Sequence, residues 1–275
     1  EIGSGLVGSE MCIRDRCDEM EQYAIQSVDR AFQLLETISL HPQGLSLTEL
    51  VNQTQLNKST AYRLLSSLIA HGYIIKDSRS NTYHISLKLY EIGCRTVNAN
   101  GFLPVVEPVL RGLAVETNEA IHFVLREENS VVYLYKEEPV QSVIHMASRI
   151  GVRNPMYCTG VGKAILAFLP QEEQQLIART TQYQAFTDYT LCTPEALLED
   201  LELTRRRGYA VDDQEHELGI RCVAAPIKNE QGNAYAAISL SAPITRLGEA
   251  RIQEVANQIT AAAMQISQLL NGRMG

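Results

Sequence analysis

The chain has 275 residues, of which 45% are hydrophobic, and a formal net charge of -8. That length suits one large domain or two ordinary ones with real cores, and no stretch approaches the roughly 20 apolar residues of a membrane helix, so no membrane partner is expected. The acidity speaks against a chain that is basic throughout, as many nucleic-acid-binding modules are, but the charge is uneven. Residues 23–99 carry seven Lys/Arg against five Asp/Glu, and residues 100–275 carry 15 against 21.

Residues 1–21 show no coherent periodicity. Basic residues do not precede an apolar core, and no small-residue cleavage site follows, so the segment does not read as a signal peptide. One reverse translation of Glu10 to Asp15 resembles the end of a transposon-based sequencing adapter. The expectation is a non-native or disordered tail, with the native chain starting near Met20. Six cysteines (Cys12, Cys17, Cys94, Cys158, Cys192, Cys222) form no C-x-x-C pair, which argues against a zinc ribbon or a redox motif. Reduced thiols in a cytoplasmic protein are the simplest reading.

Val28, Phe32, Leu35 and Ile38 recur at helical spacing and predict a first helix, with Ser27 placed to cap it. "HPQG" (41–44) breaks the chain. Ser46 and Glu49 fit a capping box opening a short helix that uses Leu47, Leu50 and Val51. Asn57 is placed to cap a third helix that turns Ala61, Leu64, Leu65 and Leu68 inward and ends at Gly72. The start of that helix carries Lys58, Ser59, Thr60, Tyr62, Arg63 and Ser66. Such a polar, reaching first turn is unneeded in a helix that only packs, but it suits one that enters a DNA groove. "YIIKD-SRSN-TYHIS" then reads as two short strands about a polar turn.

Residues 22–86 therefore read as a winged helix-turn-helix. Arg63 is suited to a bidentate contact with guanine and Lys58 to a phosphate. Lys76 and Arg79 on the wing face the backbone or minor groove, and Arg30 on the first helix completes the candidate DNA-binding set. The alternatives are a winged helix used for protein contacts and plain helical packing.

Three blocks in order carry a resemblance: "QSVDRAFQLLETI" with "LSLTELVNQTQLNKSTAYRLLSSLIAHGYI", then "SRIGVRNPMYCTGVGKAILA", then "RRRGYAVDDQEHELGIRCVAAPI" with "AAISLSAPITRL". Together they resemble the IclR family of bacterial transcriptional regulators from about Gln22 to the end. The block "SRIGVRNPMY" is similar to that of its 2-keto-3-deoxygluconate-type repressors. The resemblance implies an α+β chain: the winged helix, a linker helix over 87–99, and an effector-binding domain over 100–275 similar to GAF or PAS domains. It also implies a homodimer or homotetramer on a palindromic double-stranded DNA operator, answering to a small carboxylate metabolite, with no cofactor and no catalysis.

The second half supplies elements for such a domain. A helix from Pro104 to Thr117, strands "IHFVLRE" and "SVVYLYKE", and a further strand "VIHMASRI" come first. A buried helix follows in "GVGKAILAFL", and another after Pro170. A capped helix "TPEALLEDLELTRRRGY", strands "RCVAAPIKN" and "AYAAISLSA", and a closing helix from Arg246 to Leu270 complete the set. Irregular alternation suits an α+β sensor better than a doubly wound sheet.

Four features point to a small-molecule site. "TGVGKA" puts glycine N–H groups at a helix start, which suits a carboxylate or phosphate; close packing is the alternative use of the glycines. Ser239 and Ser241 alternate with Ile238, Leu240 and Ala242, so both hydroxyls share one strand face, turned either to a ligand or to solvent. "DDQEHELGIRC" gathers Asp212, Asp213, Glu215, Glu217 and Cys222, whose carboxylates suit sugar-acid hydroxyls, although such runs are usually solvated. Met146 and Ile220 are ordinary core residues by pattern. The resemblance implies that Met146 and Ile220 line the apolar side of an effector pocket, with contacts to backbone at Gly160 and Val161 and to Asp212, Cys222, Ser239 and Ser241. Val161 departs from the alanine often found there.

An enzyme is the rival class, with Cys158 or Cys222 beside His122, His145 or His216 as a nucleophile pair, but no orienting third residue is evident. Spacing does not favour a metal site. Repression of carbohydrate or small-organic-acid catabolism, controlled by a small carboxylate, is the leading expectation. Activation of aromatic-acid catabolism is the alternative within the family.

Overall fold

The computed structural model describes residues 25–99, 101–139 and 148–274. The chain divides into two compact units, 1–96 and 97–275.

In the first unit, α1 (Gln26–Ser39), β1 (Leu45–Ser46), α2 (Leu47–Thr54), α3 (Lys58–Ala70), β2 (Ile74–Lys76) and β3 (Thr82–Ile85) follow one another, and α4 (Lys88–Ala99) runs across the boundary. Three helices and a wing are present as expected, with β1 as an extra strand on the outer side of β3. The capping box forms in full: Glu49 N donates to the Ser46 hydroxyl at 3.3 Å, and Ser46 N donates to Glu49 Oε2 at 2.7 Å. Gln55 (φ +57) closes α2 in the left-handed region, so three residues suffice to turn the chain into α3. Gly72 (φ +76) ends α3, its N–H donating to Ile69 O at 2.8 Å.

The core of this unit is Leu34, Ile38, Leu45, Leu50, Leu56, Ala61, Leu65, Ile74 and Tyr83. Two readings of α1 need correction. Ser27 lies inside the helix, whose N-cap is Ile25 without a side-chain bond. Val28 and Phe32 are exposed, and Leu34 is the buried partner of Ile38. The helix carries two apolar stripes, and the one bearing Leu34 meets α2 and α3.

The second unit holds α5 (Leu103–Thr117), β4 (Ala120–Glu127), β5 (Ser130–Glu137), β6 (Arg153–Pro155), α6 (Gly160–Leu166), α7 (Gln171–Thr180), α8 (Pro194–Arg207), β7 (Ala210–Asp213), β8 (Ile220–Lys228), β9 (Ala234–Pro243) and α9 (Glu249–Met274). Its antiparallel sheet runs β6-β5-β4-β9-β8-β7. Strands β7 and β6 were not anticipated. Most of the expected strand "VIHMASRI", together with Met146 and His145, lies outside the described residues.

Strand alternation splits this sheet into two faces. Ile121, Phe123, Val223, Ile238 and Leu240 pack on one face beneath α5 and α9; burying a side chain such as Phe123 contributes about 1.5–3 kcal/mol. Val124, Ala224 and Ala237 belong to a second core, shared with α6, α7 and α8. This is the α+β, GAF/PAS-like arrangement expected of a sensor domain. Among the described residues, no helix is long and apolar enough to cross a membrane.

Candidate functional site

The first candidate surface is the start of α3. Lys58, Ser59, Tyr62, Arg63 and Ser66 are exposed there, because Ala61 and Leu65 take the inward positions. Among the described residues, no hydrogen bond or ion pair engages the side chains of Lys58 or Arg63, so both remain available. Two others are partly committed. Thr60 is half-buried, its hydroxyl donating to Asn57 Oδ1 at 3.3 Å, and Ser66 donates back to Tyr62 O at 2.8 Å. Asn57 is the N-cap residue but makes no side-chain bond to the helix N–H groups. On the wing, Asp77 accepts from Arg79 N and Ser80 Oγ, each at 2.8 Å, which stiffens the turn while leaving Lys76 and Arg79 exposed. Lys76 Nζ lies 5.4 Å from the centre of the Tyr83 ring. Arg30 is half-buried on α1.

The second candidate is a cavity of about 220 Å³ in the second unit. Sheet register builds its floor. Asp212 pairs with Cys222, and Cys222 pairs with Ser241. Two residues along, Ala224 pairs with Ser239 and Ser239 with His122. A two-residue step keeps both rows on one face, so Asp212, Cys222, Ser241, Ser239 and His122 converge there. Ile238, Leu240 and Ala242 point into the opposite core. The serines are buried rather than solvated, at 3% and 4% exposure. Their hydroxyls lie 3.4 and 3.5 Å from His122 Nδ1, and Ser241 donates to Cys222 Sγ at 2.9 Å.

The start of α6 forms one wall. Thr159 caps it, accepting from Gly162 N at 3.2 Å. Gly162 answers to packing: a β-carbon there would sit 2.3 Å from Met156 Cα. Gly160 and Val161 line the cavity, and their N–H groups, at the first turn, have no intrahelical acceptor. Close packing is thus the use seen at Gly162, while Gly160 turns its N–H toward the cavity side of the helix start.

Seven of the eight expected effector residues (Gly160, Val161, Asp212, Ile220, Cys222, Ser239, Ser241) line this one cavity; Met146 is outside the described residues. Sequence reasoning missed Tyr133, Ser148, Val152 and Asn154, and it weighed His122 and His216 only as catalytic or metal-holding partners. His122 donates or accepts with Ser148 Oγ at 2.8 Å through Nε2 and stands edge-on to Tyr133 at 5.5 Å. Its alternation with Ile121 and Phe123 was the available signal.

Burial dominates the electrostatics. It pushes Asp212 up to about 6 against the pull of Lys163, and Glu215 up to about 7 against the same cation. It pushes His122 down to about 3, helped by the Lys136 charge, so the imidazole is neutral near pH 7. Burial also raises the Cys158 and Cys222 thiols, with Asp212 adding to both. A nucleophilic cysteine needs the opposite shift, so the Cys/His reading loses its chemical basis. Among the described residues, no cluster of three or more His, Cys, Asp or Glu is placed to hold a metal ion.

A winged helix-turn-helix and an α+β sensor domain in one chain define a ligand-responsive, DNA-binding transcription regulator. The chain belongs to the IclR family: residues 94–268 match the bacterial transcriptional regulator IclR C-terminal domain, and residues 27–78 match the IclR helix-turn-helix domain. It is 34% identical to the HTH-type transcriptional regulator KdgR of Escherichia coli K12 over 244 residues, covering 89% of this chain and 92% of that one. It is 33% identical to the transcriptional repressor IclR of the same organism over 249 residues, 90% and 91% of the two chains. The crystal structure of the Thermotoga maritima IclR superposes with a TM-score of 0.76 at 30% identity, covering 90% of this chain and all of that one. These relatives are regulators and not enzymes.

Proposed function

We propose that this chain is a cytoplasmic repressor of a carbohydrate or small-organic-acid catabolic operon, released or tightened by a small carboxylate bound in the 220 Å³ cavity. The observation that carries the reading is the convergence of Asp212, Cys222, Ser239, Ser241 and the first N–H groups of α6 on that cavity, with Ile220 and Val152 as its apolar side. The many hydrogen-bonding groups of its lining, among them Asn154, Asp212, Ser239 and Ser241, favour a hydroxylated or keto acid over an aromatic one. The repressor name of the 33% identical relative supports the sign of control.

Lys58, Ser59, Tyr62 and Arg63 enter a major groove in this reading, with Lys76 and Arg79 on the flanking backbone. Two such modules in a homodimer or homotetramer read palindromic half-sites about one helical turn apart or a multiple of it. Exposed Leu87, Leu89, Tyr90 and Ile92 are apolar surface of the kind a partner chain covers. The effector must favour one quaternary arrangement over another to regulate at all, with a coupling of about 1–3 kcal/mol.

The test is a gel shift on the chain's own promoter region. Specific, salt-sensitive retardation that pyruvate, gluconate or 2-keto-3-deoxygluconate alters supports the reading. No preference for that region over scrambled duplex at any ionic strength defeats it.

A further inference from the structure

Among the described residues, the cavity is lined by acidic and neutral groups alone. Asp212 and Glu217 are its carboxylates, and His122, burial-neutralised, supplies no charge. Three buried or half-buried cations packed around it are committed elsewhere. Lys163 Nζ donates to Val211 O at 2.8 Å and to the carboxylates of Glu215 and Asp200. Lys136 Nζ donates to Ser148 O at 2.8 Å and pairs with Glu138. Arg221 forks onto Asp213 at 3.0 and 2.8 Å and donates to Leu247 O. Among the described lining residues, a carboxylate entering this space meets the N–H groups at the start of α6 but no Lys or Arg, and Asp212 lies on the same cavity.

Two like charges sharing one site cannot both stay ionised cheaply; one pKa rises. The groups facing Asp212 set which one. From its own strand and the loop after it come Asp213, Glu215, His216 and Glu217; from β8 and the approach to α6 come the Cys222 and Cys158 thiols. Lys163 faces it from α6, Tyr133 from β5 and His122 from β4. Burial is the largest influence and raises it, Lys163 and the N–H groups of Glu215 and His216 lower it, and Asp213 raises it. The balance leaves Asp212 near 6 before any ligand arrives, so a further rise of about 1–3 units from an adjacent anion carries it past neutrality.

We propose that Asp212 takes up one proton from solvent as a carboxylate effector binds, so that its acid O–H donates to the effector's carboxylate. The inference rests on the cavity being the effector site. The geometry allows it: Asp212 Oδ1 already accepts from Glu215 N at 2.8 Å, so the proton resides on Oδ2. The reaction balances as protein plus effector anion plus one proton giving the complex. Proton uptake makes binding tighter in acid. Affinity is flat below about pH 6 and falls as pH rises from there to the pKa in the complex, by at most about tenfold per pH unit for one proton.

The test is titration calorimetry of the full chain with pyruvate and with gluconate from pH 5.5 to 8.5, repeated near pH 7 in phosphate and in Tris, whose ionisation heats differ. Expected are uptake of about half to one proton and a several-fold weakening per pH unit above 6. D212N is expected to lose the pH dependence that wild type shows above pH 6, because its amide Nδ2 donates where the acid O–H did and its Oδ1 keeps Glu215 N. Wild-type affinity that is independent of pH, or that releases a proton, overturns the inference and leaves the effector site standing. Loss of binding by a folded D212N at every pH also overturns it, since Asp212 would then be an ionised acceptor. If D212N does not fold, the two-buffer comparison on the wild type decides alone. No binding of either acid at any pH removes the effector-site reading, and this inference with it.

Discussion

Lys163 is 1% exposed, and its ammonium lies 2.9 Å from Asp200 while also bonding the buried Glu215. Burial by itself lowers an ammonium, but the Glu215 and Asp200 charges outweigh it and Lys163 is raised. One side chain thus ties α6 to α8 and to the loop after β7, directly behind Asp212. Replacing Lys163 with Met leaves buried carboxylates uncompensated, a loss of about 3–5 kcal/mol. Denaturant unfolding followed on the second unit measures it; a midpoint within error of wild type would show that the ion pairs do not hold this fold together.

Asp212, Glu215 and Asp200 share that ammonium, with Arg207 also 4.0 Å from Asp200, so full ionisation still leaves the cluster net negative. Asp212 and Glu215 accordingly rise to about 6 and about 7, burial being the first cause in each. Carboxyls with folded pKa values above their unfolded ones stabilise fully below the unfolded values, near 4, and that contribution is lost as pH rises through 6 to 7. The unliganded protein is therefore expected to lose on the order of 1–3 kcal/mol between pH 5 and 8. Thermal unfolding across that range checks the sign; a melting point that climbs steadily with pH contradicts it.

Gly162 has no room for a side chain, since a β-carbon would meet the Met156 backbone at 2.3 Å. Backbone cannot swing aside like the end of a long side chain. Gly162→Ala is expected to cost about 1–3 kcal/mol through overpacking, read in the same unfolding experiment. A neutral result would mean that the start of α6 shifts freely.

Arg63 is exposed on α3 and, among the described residues, its side chain has no hydrogen-bond or ion-pair partner. Arg63→Ala is expected to reduce discrimination of the operator over random duplex by about 1–3 kcal/mol, with effector affinity unchanged. Competition gel shifts measure the ratio, and equal discrimination by mutant and wild type would remove Arg63 from base reading.

The Ser239 and Ser241 hydroxyls are buried beside His122 and Cys222. Ser239→Ala combined with Ser241→Ala is expected to lower the effector response without changing basal DNA binding. Reporter induction alongside gel shift separates the two, and full induction in the double variant would clear both serines of any part in sensing.

Whatever depends on neighbours close along the chain was legible in the residues. The Ser46/Glu49 capping box, the inward Ala61 and Leu65 of α3, and the shared face of Ser239 and Ser241 all follow from periods of 3.6 or 2. The resemblance of "TGVGKA" and "DDQEHELGIRC" to family blocks added expected effector residues, and these line one cavity. Tertiary structure decided the rest. Two apolar stripes on α1 are equal by pattern, and only packing against α2 and α3 selects Leu34 over Val28 and Phe32. Alternation puts His122 on the face opposite Ile121 and Phe123, but only its register with Ser239, more than 100 positions away, sets it over the cavity. The buried helix of "GVGKAILAFL" holds Lys163, and no local pattern names the partners that let a cation be buried there, since Asp200 and Glu215 arrive from two other elements. Desolvation sets the charge of Asp212 and His122, and the extent of desolvation exists only once the whole sheet and its covering helices have assembled.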